Sequence, residues 1–203
     1  MIKEIISFAT ELLNKPYIRK VAQFVVVFIA LHEVTGTVLE VKNSYNKKAI
    51  NQEVASDVLS TTAVGVGMYY ANYAIQIASS AYITYPAGLI AASATTFVLK
   101  KLVHKERPDR SDNKSFPSGH ATILGVCLFF ILKNSKYKKN KKLALTLFII
   151  IGCLCRILAK KHDIYDISAG FVIGVIWCYI CVCTVHWCLW SDSNRHGIAP
   201  KGF

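Results

Sequence analysis

Residues 167–190, ISAGFVIGVIWCYICVCTVHWCLW, contain no Lys, Arg, Asp or Glu. A helix that crosses a bilayer needs about 20 predominantly apolar residues, within a range of about 17–25. This stretch meets that requirement, and it sets the frame for the rest of the chain. Working back toward the N-terminus, further apolar stretches occupy residues 143–159, 118–132, 82–102, 58–79 and 21–39. The stretch at 58–79 is rich in small residues. Those at 118–132 and 143–159 are short, so their ends are expected to carry polar residues to the interface. Residues 1–14 place Ile2, Ile5, Ile6, Leu12 and Leu13 at helical spacing among Lys3, Glu4 and Glu11. That pattern predicts an amphipathic helix lying at the membrane surface rather than a cleaved signal.

The expected fold is therefore all-α. It is an integral membrane bundle of six transmembrane helices with an N-terminal interfacial helix, in one domain spanning residues 1–203. Composition agrees: the chain is 53% hydrophobic and 18% charged, with a mean hydropathy of +0.37. Soluble domains average about 45–50% apolar and about 25% charged residues. The net charge of +12 suits the anionic surface of a membrane. Nucleic acid is not an expected partner, because the charges sit between long apolar segments. The seven cysteines all lie in those segments. Cys178 and Cys181 have metal-like spacing, but no second pair follows, so they read as small apolar packing residues.

An even number of spans puts both termini on one side of the membrane. It gathers the linkers after the first, third and fifth spans on the other. Counting Lys and Arg around the spans gives a tie between the two sides. Setting aside Lys100, Arg107 and Arg156 as ligands leaves the excess on the terminal side. Cytoplasmic termini and an outward-facing site are expected from this; in a bacterium the site would face the periplasm or cell exterior. The linker at 133–142 holds six lysines and no acid, and reads as an anchor on anionic lipid.

The linkers after the third and fifth spans hold the unusual chemistry. Lys100 ends the third span, and Arg107-Pro108 follows. Pro117-Ser118-Gly119-His120 opens the fourth. Cys155-Arg156 ends the fifth, with His162 and Asp166 beyond it. A transferring phosphoryl group carries charge on three oxygens that must be neutralised. Lys100, Arg107 and Arg156 supply three cations, and arginine can grip phosphate with two parallel hydrogen bonds. Pro117 suits a first helical turn. Ser118 and Gly119 would then present backbone N–H groups to an anion, with the helix dipole behind them. A neutral imidazole is a good nucleophile when a carboxylate fixes its tautomer. His162 and Asp166, at i and i+4, could meet on a helix or across a tight turn. His120 is placed to protonate a leaving alkoxide.

The three ordered patterns, Lys100 to Pro108, Pro117 to His120 and Arg156 to Asp166, resemble the signatures of the type 2 phosphatidic acid phosphatases. That superfamily also includes bacterial lipid phosphatases and the vanadium haloperoxidases. The resemblance implies metal-independent hydrolysis of a phosphate ester or anhydride, with no cofactor. It implies His162 as nucleophile, Asp166 as its partner and His120 as acid. Lys100, Arg107, Ser118, Gly119 and Arg156 would bind phosphate. The third motif usually opens with serine; Cys155 stands there, and a thiol is a weaker donor.

The expected substrate is a lipid phosphate, with membrane lipids as surroundings. Undecaprenyl pyrophosphate, phosphatidylglycerol phosphate, phosphatidic acid and lipid A phosphates are the candidates. A phosphotransferase on the same scaffold is an alternative, separable by product analysis. A non-catalytic membrane scaffold or transporter is another, but it predicts loss of a proton-transfer residue, and His120, His162 and Asp166 are all present.

Overall fold

The computed structural model describes residues 52–75 and 81–195. The expected interfacial helix at 1–14 and the first span at 21–39 lie outside them, as do His32 and Glu33. Among the described residues there are five α-helices and no strand: α1 Gln52–Ile75, α2 Ala81–Val103, α3 Gly119–Lys133, α4 Lys139–Leu158 and α5 Ile164–Arg195. Over its described residues, each of the five apolar stretches from 58 onward falls on one helix. Two segments, Thr84–Val103 and Ile164–Trp187, are long and apolar enough to cross a membrane.

Three helix starts differ from the expectation. Helix α1 begins well before residue 58, so Asp57 lies within the helix and not in a polar linker. Helix α4 begins at Lys139 because lysine is a good helix former and its long stem lets the charge reach water. Helix α5 begins at Ile164 because Asp163 and Asp166 form a reciprocal cap. The N–H of Asp166 donates to Asp163 Oδ1 at 2.9 Å, and the N–H of Asp163 donates to Asp166 Oδ2 at 3.1 Å. This is a capping box with aspartate at both ends.

Helix α3 sits at the centre, packed chiefly on α5 and also on α1 and α2, while α1 packs on α4. Glycines set the closest approaches. A Cβ on Gly125 would sit 2.4 Å from Phe171 O, one on Gly170 2.4 Å from Ser118 O, and one on Gly174 2.2 Å from Thr122 O. The α3 and α5 backbones therefore touch, as small residues allow in apolar helix pairs. Tyr85, Leu89, Leu124, Ile131 and Ile149 fill the core between the helices.

The outward faces are also apolar. Helix α4 exposes Leu143, Leu147, Ile150, Ile151, Leu154 and Leu158, which recur at helical spacing on one side. Helix α2 exposes Ile90, Phe97, Val98 and Leu102, and α5 exposes Val172, Ile176 and Ile180. The lysine-rich linker is more structured than an anchor requires. Lys142 donates to Leu132 O at 2.6 Å near the C-terminal end of α3. Lys141 lies 4.7 Å from the Tyr70 ring and 4.5 Å from the Tyr137 ring, a favourable arrangement for a cation.

Candidate active site

The end of α4 decides where Arg156 and His162 stand. Ala159 follows the helix, and Lys160 adopts a left-handed φ of 52°. Its N–H donates to Ile157 O at 2.9 Å, and the N–H of Lys161 donates to Arg156 O at 3.2 Å. These are the two bonds of a Schellman motif, here with lysine where glycine is usual. The N–H of His162 also reaches Arg156 O, at 3.4 Å. The five residues between Arg156 and His162 are thus the length of one helix cap. His162 precedes α5, and Asp166 lies in its first turn. The turn, and not a shared helix, brings them together.

His162 is 3% exposed and Asp166 is 0% exposed. Nδ1 of His162 lies 3.7 Å from Asp166 Oδ2, beyond hydrogen-bond range, and this buried nitrogen has no hydrogen-bond partner among the described residues. Asp166 is instead gripped by other groups. Ser115 Oγ donates to Oδ2, Lys105 Nζ donates to Oδ1 at 2.8 Å, and the N–H of Asp163 completes the set. Burial pushes the His162 pKa far below its ordinary value, and the charges of Arg156, Lys100, Arg107 and His120 add to the effect. The ring is therefore neutral at physiological pH. The same four groups are among those that the sequence assigned to phosphate binding and acid catalysis.

Each cation has a holder. Arg107 Nε lies 2.7 Å from Asp112 Oδ1. Lys100 Nζ donates to Lys114 O at 2.6 Å. Arg156 is 5% exposed, and its Nη1 forms an ion pair with Asp57 on α1. Ser60 Oγ lies 3.5 Å from the same Nη1. The loop that carries Arg107 is tied to the loop after α4: the N–H of Asp109 donates to Lys160 O at 3.1 Å, and Lys161 Nζ lies 2.9 Å from Asp109 Oδ2.

At the start of α3, Ser118 is the N-cap, and its side chain accepts from the N–H of Ala121. Pro117 precedes the cap and lies outside the first turn, in contrast to the expectation. The Phe116–Pro117 peptide is cis. The N–H of Ser118 does not point outward as expected, because it donates to Asp166 O at 3.0 Å. At Gly119 an added Cβ would meet nothing within 4 Å among the described residues. Helical N–H groups at such a turn have no intrahelical acceptor. His120, one residue on, has Nε2 3.3 Å from Thr61 Oγ1. Cys155 is buried at 4% exposure and lies one residue before the guanidinium.

Six residues around this centre were not singled out from sequence: Asp57, Ser60, Thr61, Lys105, Ser115 and Asp163. Asp57, Ser60 and Thr61 did leave a signal. They fall at i, i+3 and i+4, which places three polar groups on one helix face.

The sequence model of the PAP2 superfamily matches residues 81–190, over half of the chain, and the protein belongs to that superfamily. The matched segment contains all three motifs and leaves out α1. No solved structure matches the chain. Members of the superfamily act generally as phosphatases, which places this protein's chemistry on phosphate substrates.

Proposed function

We propose that the protein is an integral membrane lipid phosphatase working through a phosphohistidine. The observation that carries this reading is the buried His162, 3% exposed, with Nδ1 3.7 Å from the buried Asp166 carboxylate; burial and the charges of Arg156, Lys100, Arg107 and His120 favour its neutral form. The cations would neutralise the three equatorial oxygens as charge builds in the transition state. Gly119 leaves room for the phosphate against the first turn of α3, and Ser118 holds that turn in place.

Nδ1 of His162 faces the Asp166 carboxylate, so the tautomer with its proton there keeps the lone pair on Nε2. In the first half-reaction Nε2 bonds to phosphorus and the bond from phosphorus to the leaving oxygen breaks. His120 gives a proton to that oxygen. In the second, water attacks phosphorus, His120 takes the water's proton, and the P–N bond breaks to return neutral His162 and free phosphate. Asp166 offsets the positive charge on the phosphorylated imidazole.

The membrane reading rests on the two long apolar segments and on the exposed apolar stripes of α2, α4 and α5. With residues 21–39 as a further span, the six-helix layout, the single domain and the interfacial helix at 1–14 complete the proposal. The substrate would keep its chains beside those stripes while its head reaches the basic centre. The site would face outward.

The test is phosphate release by purified full-length wild type and His162→Ala in detergent, with chelator present, over a panel of lipid phosphates and pyrophosphates. Release by wild type alone supports the reading and ranks the substrates. Equal release by His162→Ala removes the nucleophile. No release from any lipid by folded wild type removes the hydrolase.

A further inference from the structure

The polar face of α1 lies outside the superfamily match, yet it reaches into the centre. Asp57 and Ser60 engage Arg156. Thr61 is 4% exposed and lies against a side chain of another helix, with Oγ1 3.3 Å from His120 Nε2. Thr96 and Thr122 also meet between two helices, Oγ1 to Oγ1 at 3.0 Å, and several threonines bond within their own helix. Thr62, Thr95, Thr146 and Thr184 donate to the carbonyl four residues back on their own helices, at 2.8, 2.9, 2.8 and 2.8 Å. That is the ordinary role of threonine in an apolar helix.

We infer that Thr61 is a positioning residue for proton transfer by His120, acting through Nε2 so that the transferred proton is the one on Nδ1. This rests on the phosphatase reading above. The cationic imidazole carries a proton on both nitrogens. Nε2–H is donated to Thr61 Oγ1 and stays with the ring. Nδ1–H passes to the leaving oxygen as its bond to phosphorus breaks, and the neutral ring keeps a lone pair on Nδ1. In the second half-reaction that lone pair takes the proton of the attacking water, which restores the cation. The hydroxyl thus fixes the rotation of the ring through both steps. A separation of 3.3 Å is long for a hydrogen bond, and such catalytic contacts often tighten only when substrate is bound.

The role has a signature that packing alone would not produce. A long-chain alkyl phosphate has a poor leaving group that needs the proton; nitrophenyl phosphate has a good one that does not. The experiment measures kcat of full-length wild type, Thr61→Val, Thr61→Ser and His162→Ala on both substrates in detergent. Thr61→Val keeps the shape and removes the hydroxyl. Its expected loss is about tenfold on the alkyl phosphate, the size of one net hydrogen bond, against about twofold on the aryl phosphate. Thr61→Ser is expected to restore the alkyl rate. Equal losses of Thr61→Val on both substrates, or no loss on the alkyl phosphate, overturn the inference and leave the phosphatase reading standing. Wild type that releases phosphate from neither substrate removes that reading, and this inference with it.

Discussion

Nζ of Lys105 lies 2.8 Å from Oδ1 of Asp166, closer than His162 comes to the same carboxylate. Lys105 also pairs with Asp163 Oδ2 at 2.5 Å, so one ammonium bridges both acids of the α5 cap. Lys105→Met would leave two neighbouring carboxylates sharing fewer donors, one of them fully buried. A lost hydrogen bond to a charged group costs about 1.5–3 kcal/mol. The variant is expected to unfold earlier on heating in detergent and to turn over at least tenfold more slowly. Lys105→Arg should recover most of the stability.

His162→Ala is expected to abolish turnover, because it deletes the nucleophile of the covalent route. His120→Ala is expected to slow it by about 10²–10⁴-fold through lost acid catalysis. Near-normal rates in either variant would sink that assignment. Vanadate, which can adopt the pentavalent geometry of the transition state, should inhibit wild type. Chelators should leave the rate unchanged, and inhibition by them would point to a bound metal.

Asp57 and Arg156 form a buried pair, with side-chain exposures of 8% and 6%. Removing one partner of such a pair costs about 3–5 kcal/mol, whereas replacing both with apolar groups can be neutral or stabilising. Asp57→Ala should therefore be strongly destabilised. Asp57→Leu combined with Arg156→Met should fold about as well as wild type and yet release no phosphate. A double variant as unstable as Asp57→Ala would contradict this account of the pair.

Two glycines separate binding from folding. Gly119→Ala puts a Cβ where no described residue lies within 4 Å, so thermal stability should hold while KM rises as the methyl competes with phosphate. Gly170→Ala puts a Cβ 2.4 Å from Ser118 O. It should push the start of α3 away from α5, lowering stability by about 1–3 kcal/mol through overpacking and lowering kcat with it. Comparable behaviour of the two variants would argue against the open cradle.

The loop tie has a pH signature. Burial works to raise the Asp109 pKa, but hydrogen bonds from Ser111 and Lys161 outweigh it and hold the carboxyl at about 2, below its usual 3.8. A depressed carboxylate stabilises the fold above its unfolded pKa, and that contribution fades as pH falls toward the folded value. Wild type should therefore lose stability from Asp109 between about pH 4 and pH 2, and Asp109→Asn should lose less across that window. Thermal unfolding of both proteins against pH measures the difference.

Hydrophobic run length alone was enough to find the five described helices, two of them long and apolar enough to cross a membrane, because apolar length is a local property. Residue type and spacing were enough to propose Lys100, Arg107, His120, Arg156, His162 and Asp166 as one site. Helix boundaries were less legible, since the cap between Asp163 and Asp166 depends on side-chain geometry that an apolar run does not record. The use of the Ser118 N–H was not legible either, because its acceptor is a carbonyl 48 residues away. Asp57, Thr61 and Lys105 needed the tertiary structure for the same reason. Each acts on a partner from a different helix or loop, and only the packing of α1 and α5 around α3 brings those partners within reach.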